Sequence, residues 1–358
     1  MPGAERALSR RDPGSRDPLA GRIPIVLITG FLGSGKTTLL GRLLGHPGMD
    51  RAAVIINEFG DIGIDHQLVT ASSEQMTLLG NGCLCCTVRT DLQETLRELF
   101  IKRRAGEVID FDRVFVEASG LADPVPVLHS FQSDGLLGAQ YRLDGVVTVV
   151  DAVNAMGQLD TMPEAVRQVA VADRLILSKT DIADASAVAR LEERLKALNP
   201  YVPIAPAAHG EIDPATLVNL GPASANTLPR ELNRWLGVGS VEGESYLRKR
   251  LSGAHDAAIR AFSLRFERAF TWDTLGAALQ TLTALRGPDL LRVKGIVNVE
   301  GEAGPVVLQA AQHVIHPPVT LESWRDTERS SRIVFIVRNI SRESVEALFS
   351  AVGALANH

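Results

Sequence analysis

An α/β domain built on a mostly parallel sheet, followed by a smaller α+β domain, is the fold that this 358-residue chain predicts. Three observations carry it. Up to about residue 215, short apolar runs rich in Val and Ile alternate with stretches of helical periodicity. Beyond residue 257, several strand-like runs succeed one another without a helix between them. A glycine-rich loop joins the first strand to the first helix.

The elements follow in order. The apolar run Ile23–Thr29 leads through the glycine loop into a helix at Thr37–Leu44. Further buried strands are expected at Ala52–Asn57, Arg113–Glu117, Gly145–Val150, Arg174–Leu177 and Val202–Ala205, and helices at Leu92–Arg104, Glu164–Ala172 and Ala185–Leu198. Strands without polar alternation, separated by helices, imply a parallel sheet covered on both faces. Residues 216–256, rich in Gly, Ser and polar side chains with one helical piece at Pro229–Leu236, form a connecting region. The second domain, 257–358, opens on a strand at Ile259–Phe266 and a helix at Thr271–Leu285. Strands at Leu291–Val299, Val306–Val314 and Ile333–Val337 and a helix at Ser341–Ala354 complete it, an order that suits a mainly antiparallel sheet.

Composition narrows the partners. A net charge of −5 gives no reason to expect nucleic acid or an anionic membrane. No apolar stretch approaches the roughly 18 residues that span a bilayer. Residues 1–22, rich in Arg, Pro and Gly but without an apolar core, have the character of a flexible tail and not of a secretory leader. Clustered cysteines without evident pairing fit a reducing, cytoplasmic setting.

The loop Gly30-Phe31-Leu32-Gly33-Ser34-Gly35-Lys36-Thr37 fits the full P-loop pattern, in its required place between strand and helix. Its backbone N–H groups and the helix dipole would cradle phosphate oxygens, with Lys36 reaching the β- and γ-phosphates. Thr37 would place its hydroxyl on Mg²⁺, and Thr38 would touch the α-phosphate. A P-loop also needs an acid from a neighbouring strand to organise Mg²⁺. Glu117 ends the run Val114–Glu117, and Gly120 follows where its N–H would meet the γ-phosphate.

Base identity points to GTP. The run Leu177-Ser178-Lys179-Thr180-Asp181 resembles an Asn/Thr-Lys-x-Asp guanine motif. Asp181 would accept from guanine N1–H and N2–H₂, donors that adenine does not present as a pair, and Lys179 would lay its alkyl stem over the base. Ser178 stands in place of the usual Asn and loses an amide that braces the loop. The backbone amide of Ala208, after the strand at Val202–Ala205, falls where guanine O6 would be read. Residues 23–215 are therefore expected to form a P-loop GTPase domain.

All three cysteines fall at Cys83, Cys85 and Cys86. Thiolate sulfur is the ligand that Zn²⁺ and softer ions prefer, so the cluster points to a transition-metal site. In extended backbone Cys83 and Cys85 share a face and Cys86 points away unless the chain turns there. Three thiolates leave a tetrahedral ion one ligand short, which suits transfer better than scaffolding. Glu58, in the acidic loop 57–66 that also holds Asp61, Asp65 and His66, would complete the set or approach Mg²⁺ instead.

The order GFLGSGKTT, NEFGDIGID, GNGCLCCTVRTDL, VFVEASGLADP, LSKTD and HGEID resembles the CobW-type metallochaperone GTPases, relatives of the GTPases that mature urease and hydrogenase. LLRVKGIV, Trp324 and SRIVFIVRN resemble that family's second domain, so the likeness spans about residues 23 to 340. It implies Mg²⁺-GTP-dependent binding of Zn²⁺ or Co²⁺ by the cysteines, slow GTP hydrolysis and release of the ion to a client metalloprotein. Two positions depart from the pattern: Ser178, and Val337 where the family often has glycine. The working expectation is a switch in which Mg²⁺-GTP draws loop 57–66 and segment 117–120 together around the thiols, and hydrolysis loosens them. Without a visible arginine finger or water-positioning glutamine, turnover should be slow. A P-loop kinase for a small acceptor and a thiol redox sensor are the competing classes, and self-association stays open.

Overall fold

The computed structural model describes residues 21–57, 76–78, 84–88, 92–221, 236, 258–316, 318–321, 323–324 and 329–355. They divide into two compact units: Arg22–Glu193 with Pro203–Gly221, and a second that takes in Arg194–Val202 and the chain from Pro222 on.

In the first unit β1 (Ile23–Thr29) runs into α1 (Lys36–Leu44), then β2 (Ala52–Asn57), β3 (Met76–Leu78) and β4 (Leu84–Val88). The chain continues through α2 (Leu92–Ala105), β5 (Arg113–Ala118), α3 (Pro124–Ser133), α4 (Gly135–Gln140) and β6 (Tyr141–Asp151). It ends with α5 (Ala155–Thr161), α6 (Pro163–Val171), β7 (Arg174–Ser178), α7 (Ala185–Leu198), which from Arg194 on is counted with the second unit, and β8 (Ile204–Ala207). Among the described residues the sheet has eight strands in the order β3-β4-β2-β5-β1-β6-β7-β8. Every pairing is parallel except β3 with β4.

β1 shows why the predicted strands carry no polar alternation: Ile25, Val26, Leu27 and Ile28 are all buried, so both faces of the strand are covered. Val26 and Ile28 pack with Leu39, Leu40 and Leu43 of α1 and with Val54, Phe115 and Val149 from β2, β5 and β6. From β1 the chain moves to β2 and β5 on one side, and it adds β6, β7 and β8 on the other. The reversal falls at the carboxyl end of β1, the place where open α/β sheets form their ligand crevice. Gly30 begins there.

Two expected elements shift. The strand at Val202–Ala205 forms two residues later, as β8, because Pro203 gives its carbonyl to Leu175 N as the chain enters the ladder. The cysteine segment, read as extended backbone with an available turn, is strand β4 straight through Cys85 and Cys86. The short helices α3, α4 and α5 carry no strong periodicity in the sequence. Asp123 and Asp134 start the first two by accepting backbone N–H groups at their amino ends.

The second unit contains β9 (Ile259–Phe266), α8 (Trp272–Arg286), β10 (Leu290–Val297), β11 (Val306–Ala311), β12 (Val314–Ile315), β13 (Val319–Thr320), β14 (Ser331–Arg338) and α9 (Arg342–Leu355). The pairings among these strands are all antiparallel. The expected strand Val306–Val314 is broken at Gln312, whose φ of 51° turns the chain into β12. Leu275, Leu279 and Leu282 of α8 and Val345 and Phe349 of α9 cover Leu264, Val293, Ile333 and Phe335 of the sheet. The helical piece expected at 229–236 lies outside the described residues except for Leu236.

Candidate functional site

The carboxyl ends of β1, β5, β6, β7 and β8 open on one edge of the sheet; β1, β5, β7 and β8 lead into residues named from sequence, and β6 ends on Asp151. Gly30 follows β1 with φ 143°, and a Cβ there would stand 2.2 Å from the carbonyl oxygen of Val149, so only glycine fits against β6. Gly33 and Gly35 also have positive φ, and Gly35 is the amino-terminal cap of α1. Lys36 folds back over the loop, its Nζ donating to the carbonyls of Gly30 at 2.9 Å and Phe31 at 3.3 Å. Ser34 is buried, and its Oγ has no hydrogen-bond partner among the described residues.

Thr37 Oγ1 donates to Oε1 of Glu117 at 2.7 Å, across a separation of 80 residues. Glu117 is only 5% exposed, held at the end of β5 beside β1. A hydroxyl and a carboxylate converging at a helix amino terminus make a hard, all-oxygen donor set, which suits Mg²⁺. Gly120 lies against the P-loop: a Cβ there would come within 2.8 Å of Leu32 N and 2.9 Å of Leu32 Cα.

Ser178 corrects one expectation. The amide missing from the guanine motif does not leave the loop unbraced, because Ser178 Oγ lies 2.6 Å from the carbonyl of Ser34 in the P-loop and 3.3 Å from that of Val150. At the end of β7 the backbone is close enough for a hydroxyl to span the gap. Lys179, with φ 58°, directs Nζ to Asp151 Oδ2 at 2.7 Å. Asp151 also accepts from Val153 N, Asn154 N and Asn154 Nδ2. Burial pushes the Asp151 carboxyl up, but the hydrogen bonds from Lys179, Asn154 and the two backbone amides outweigh it and hold it below the ordinary carboxylate range.

Asp181 faces the loop after β8. Its Oδ1 accepts from His209 N at 3.4 Å, and its Oδ2 stands 3.4 Å from His209 Nδ1. Ala208 bridges to Glu211, so the loop is a tight turn. A Cβ on Gly210 would lie 3.2 Å from Thr38 Cγ2, which seats this loop on the first turn of α1. Phosphate loop, acid strand, Ser-Lys-x-Asp segment and 208–210 turn thus surround one crevice.

Asp151 and Gln168 were not singled out from sequence. Asp151 directly follows the expected apolar strand Gly145–Val150 and closes β6, a signal close to the one that marked Glu117. Gln168 gave a weaker one, a polar residue on the apolar stripe of the expected helix Glu164–Ala172.

Of the expected metal ligands, Glu58 and Cys83 lie outside the described residues, as does most of loop 57–66. Backbone register fixes the strand that carries Cys85 and Cys86. Cys86 pairs with Ile55, which pairs with Val116; the next rung is Thr87, Ile56 and Glu117. Two strand spacings, about 10 Å, separate the cysteine strand from the acid strand. Among the described residues no group of three or more His, Cys, Asp or Glu is placed to hold a metal ion.

Fold and crevice together define a P-loop nucleotide-binding protein carrying a carboxyl-terminal α+β unit. Residues 24–206 match the CobW/HypB/UreG nucleotide-binding domain model, and residues 259–353 match the cobalamin synthesis protein cobW C-terminal domain model. The chain belongs to the CobW/HypB/UreG family. It is 32% identical to the zinc chaperone YjiA of Escherichia coli over 92% of this chain and 98% of that protein. It is 28% identical to zinc-regulated GTPase metalloprotein activator 1 of Saccharomyces cerevisiae, over 91% and 82%. The crystal structure of Zn(II)-bound YjiA GTPase from E. coli superposes with a TM-score of 0.69 at 30% identity, covering 92% of this chain and 99% of that one. Among the described residues no helix is long and apolar enough to cross a membrane.

Proposed function

We propose that this protein binds and slowly hydrolyses GTP and couples that cycle to holding Zn²⁺ (or Co²⁺) on Cys83, Cys85 and Cys86, then passes the ion to a client metalloprotein. Relatives named as zinc chaperones and as a zinc-regulated GTPase support the class. The single observation that carries the coupling is the register Thr87–Ile56–Glu117, one residue from Cys86. A movement of Glu117 or of the segment behind it is transmitted through one intervening strand, a stiff hydrogen-bonded path.

The residues divide the work. Gly30, Gly33, Ser34 and Gly35 present backbone N–H groups to the phosphates, and Lys36 exchanges its loop carbonyls for β- and γ-phosphate oxygens. Thr37 and Glu117 hold Mg²⁺, which when bound neutralises charge on the β- and γ-phosphates. Thr38 lies beside the α-phosphate, Gly120 donates to the γ-phosphate, and Lys179, Asp181 and the Ala208 amide select guanine. Glu58 is the fourth ligand candidate for the transported ion.

Linkage supplies the test: if GTP tightens metal binding, metal tightens GTP binding by the same factor. Co²⁺ titration followed by thiolate-to-metal absorption, with Mg²⁺ and either a non-hydrolysable GTP analogue or GDP, should give tighter binding with the analogue. Each of Cys83→Ala, Cys85→Ala and Cys86→Ala should weaken the band. Equal Co²⁺ affinities in both nucleotide states would refute the coupling.

A further inference from the structure

The segment bearing Gly120 is held from behind by one buried side chain. Gln168 of α6 is 1% exposed, and its Nε2 donates to the carbonyls of Gly120 at 3.1 Å and Ala122 at 3.2 Å. Two carbonyl oxygens face the carboxamide, and only its NH₂ can meet both, so the surroundings settle the amide's orientation. Its Oε1 is buried with no hydrogen-bond partner among the described residues.

The support behind Gln168 is itself fixed. Thr148 Oγ1 donates to the Gln168 carbonyl at 2.7 Å, and Thr148 stands beside Thr29, the residue before Gly30, in the β1–β6 ladder. One residue earlier, Arg167 Nη1 meets Asp123 Oδ2 at 3.4 Å, while Asp123 Oδ1 caps α3 by accepting from Val125 N. On its other side Gly120 abuts Leu32 of the P-loop. Residues 119–123 are therefore clamped between the phosphate loop and α6. An apolar side chain would fill this volume without burying Oε1, but it would leave the Gly120 and Ala122 carbonyls without this donor; what the amide contributes is their direction.

We propose that Gln168, assisted by Arg167, is a positioning residue for recognition of the γ-phosphate. This rests on the GTP reading given above. Anchoring the carbonyls of Gly120 and Ala122 fixes the backbone torsions around Gly120, so its N–H is already aimed when a triphosphate arrives and little ordering remains to be done. GDP has no γ-phosphate, so the advantage is confined to GTP.

The test compares affinities of the full-length protein for GDP and for a non-hydrolysable GTP analogue, both with Mg²⁺, by calorimetry. Gln168→Leu should lower the analogue-to-GDP affinity ratio about tenfold, leave GDP affinity within about twofold, and lower kcat with it. A side chain that merely supported the fold would leave that ratio unmoved. Arg167→Gln alters a partly exposed position and so guards against a folding failure; it should shift the ratio in the same direction by about threefold. An unchanged ratio in both variants overturns the proposal and leaves the GTP reading intact. Failure of the unmodified protein to bind the analogue overturns the GTP reading itself.

Discussion

Ser178 Oγ stands 2.6 Å from the carbonyl oxygen of Ser34, joining the end of β7 to the middle of the phosphate loop across 144 residues. Both residues are buried, so the bond is shielded from water, and the two segments move as one piece. Losing such a bond costs about 1 kcal/mol. Ser178→Ala should therefore weaken GDP and GTP binding alike, by about fivefold, in calorimetric titrations. A variant that keeps full affinity for both would remove the brace from the account of the site.

Thr37 and Glu117 form the second pair. In the proposed function this pair holds Mg²⁺; Glu117→Gln keeps the shape but removes the charge that would draw a divalent cation, and Thr37→Ala removes the hydroxyl. Each should reduce GTP hydrolysis on the order of 100-fold. In EDTA, where Mg²⁺ plays no part, nucleotide affinity should be nearly unchanged. Equal losses with and without Mg²⁺ would argue that the pair serves the fold alone.

In the proposed function, base choice rests on Asp181. A carboxylate accepts two hydrogen bonds, whereas an amide offers one donor and one acceptor, which suits xanthine with its O2 acceptor beside N1–H. Asp181→Asn should lose about 100-fold in GTP affinity and gain in XTP affinity, measured by competition against a fluorescent nucleotide. The His209 backbone amide, 3.4 Å from Oδ1, can still be accepted by the new side chain, so the turn itself should survive.

Asp151 supplies a pH dependence with a definite sign. Its carboxyl is held below the ordinary value of 3.8 in the folded chain, so its stabilising effect is present above that value. It fades as pH falls through the lowered folded-state value. The melting temperature of Asp151→Asn should thus lie below that of the unmodified protein at pH 7 and at pH 5. The gap should narrow below about pH 4. A gap that stays constant down to pH 3 would mean that the charge of Asp151 contributes nothing.

Much of this crevice was legible because its chemistry is local. A P-loop is eight consecutive residues whose glycines and lysine must sit between a strand and a helix, and β1 begins and ends where the apolar run Ile23–Thr29 does. Glu117 was legible for a related reason, an acid at the end of an apolar strand near a phosphate loop. The strand through Cys85 and Cys86 was harder. Its run Leu84–Val88 is short, and glycine and cysteine dominate its approach, so only pairing with β2 and β3 shows that it belongs to the sheet.

Sequence alone determined which groups this protein carries for the proposed function: the phosphate loop, the acid, the Ser-Lys-x-Asp segment and the three thiols, since each is a pattern of neighbours along the chain. Tertiary structure decided which of them meet. That a serine could take over the bracing role of an asparagine, that Lys179 pairs with Asp151, and that Gln168 backs Gly120 all depend on parallel strands ending at one edge. Such distances are set by the packing of the whole sheet, and no stretch of neighbouring residues encodes them.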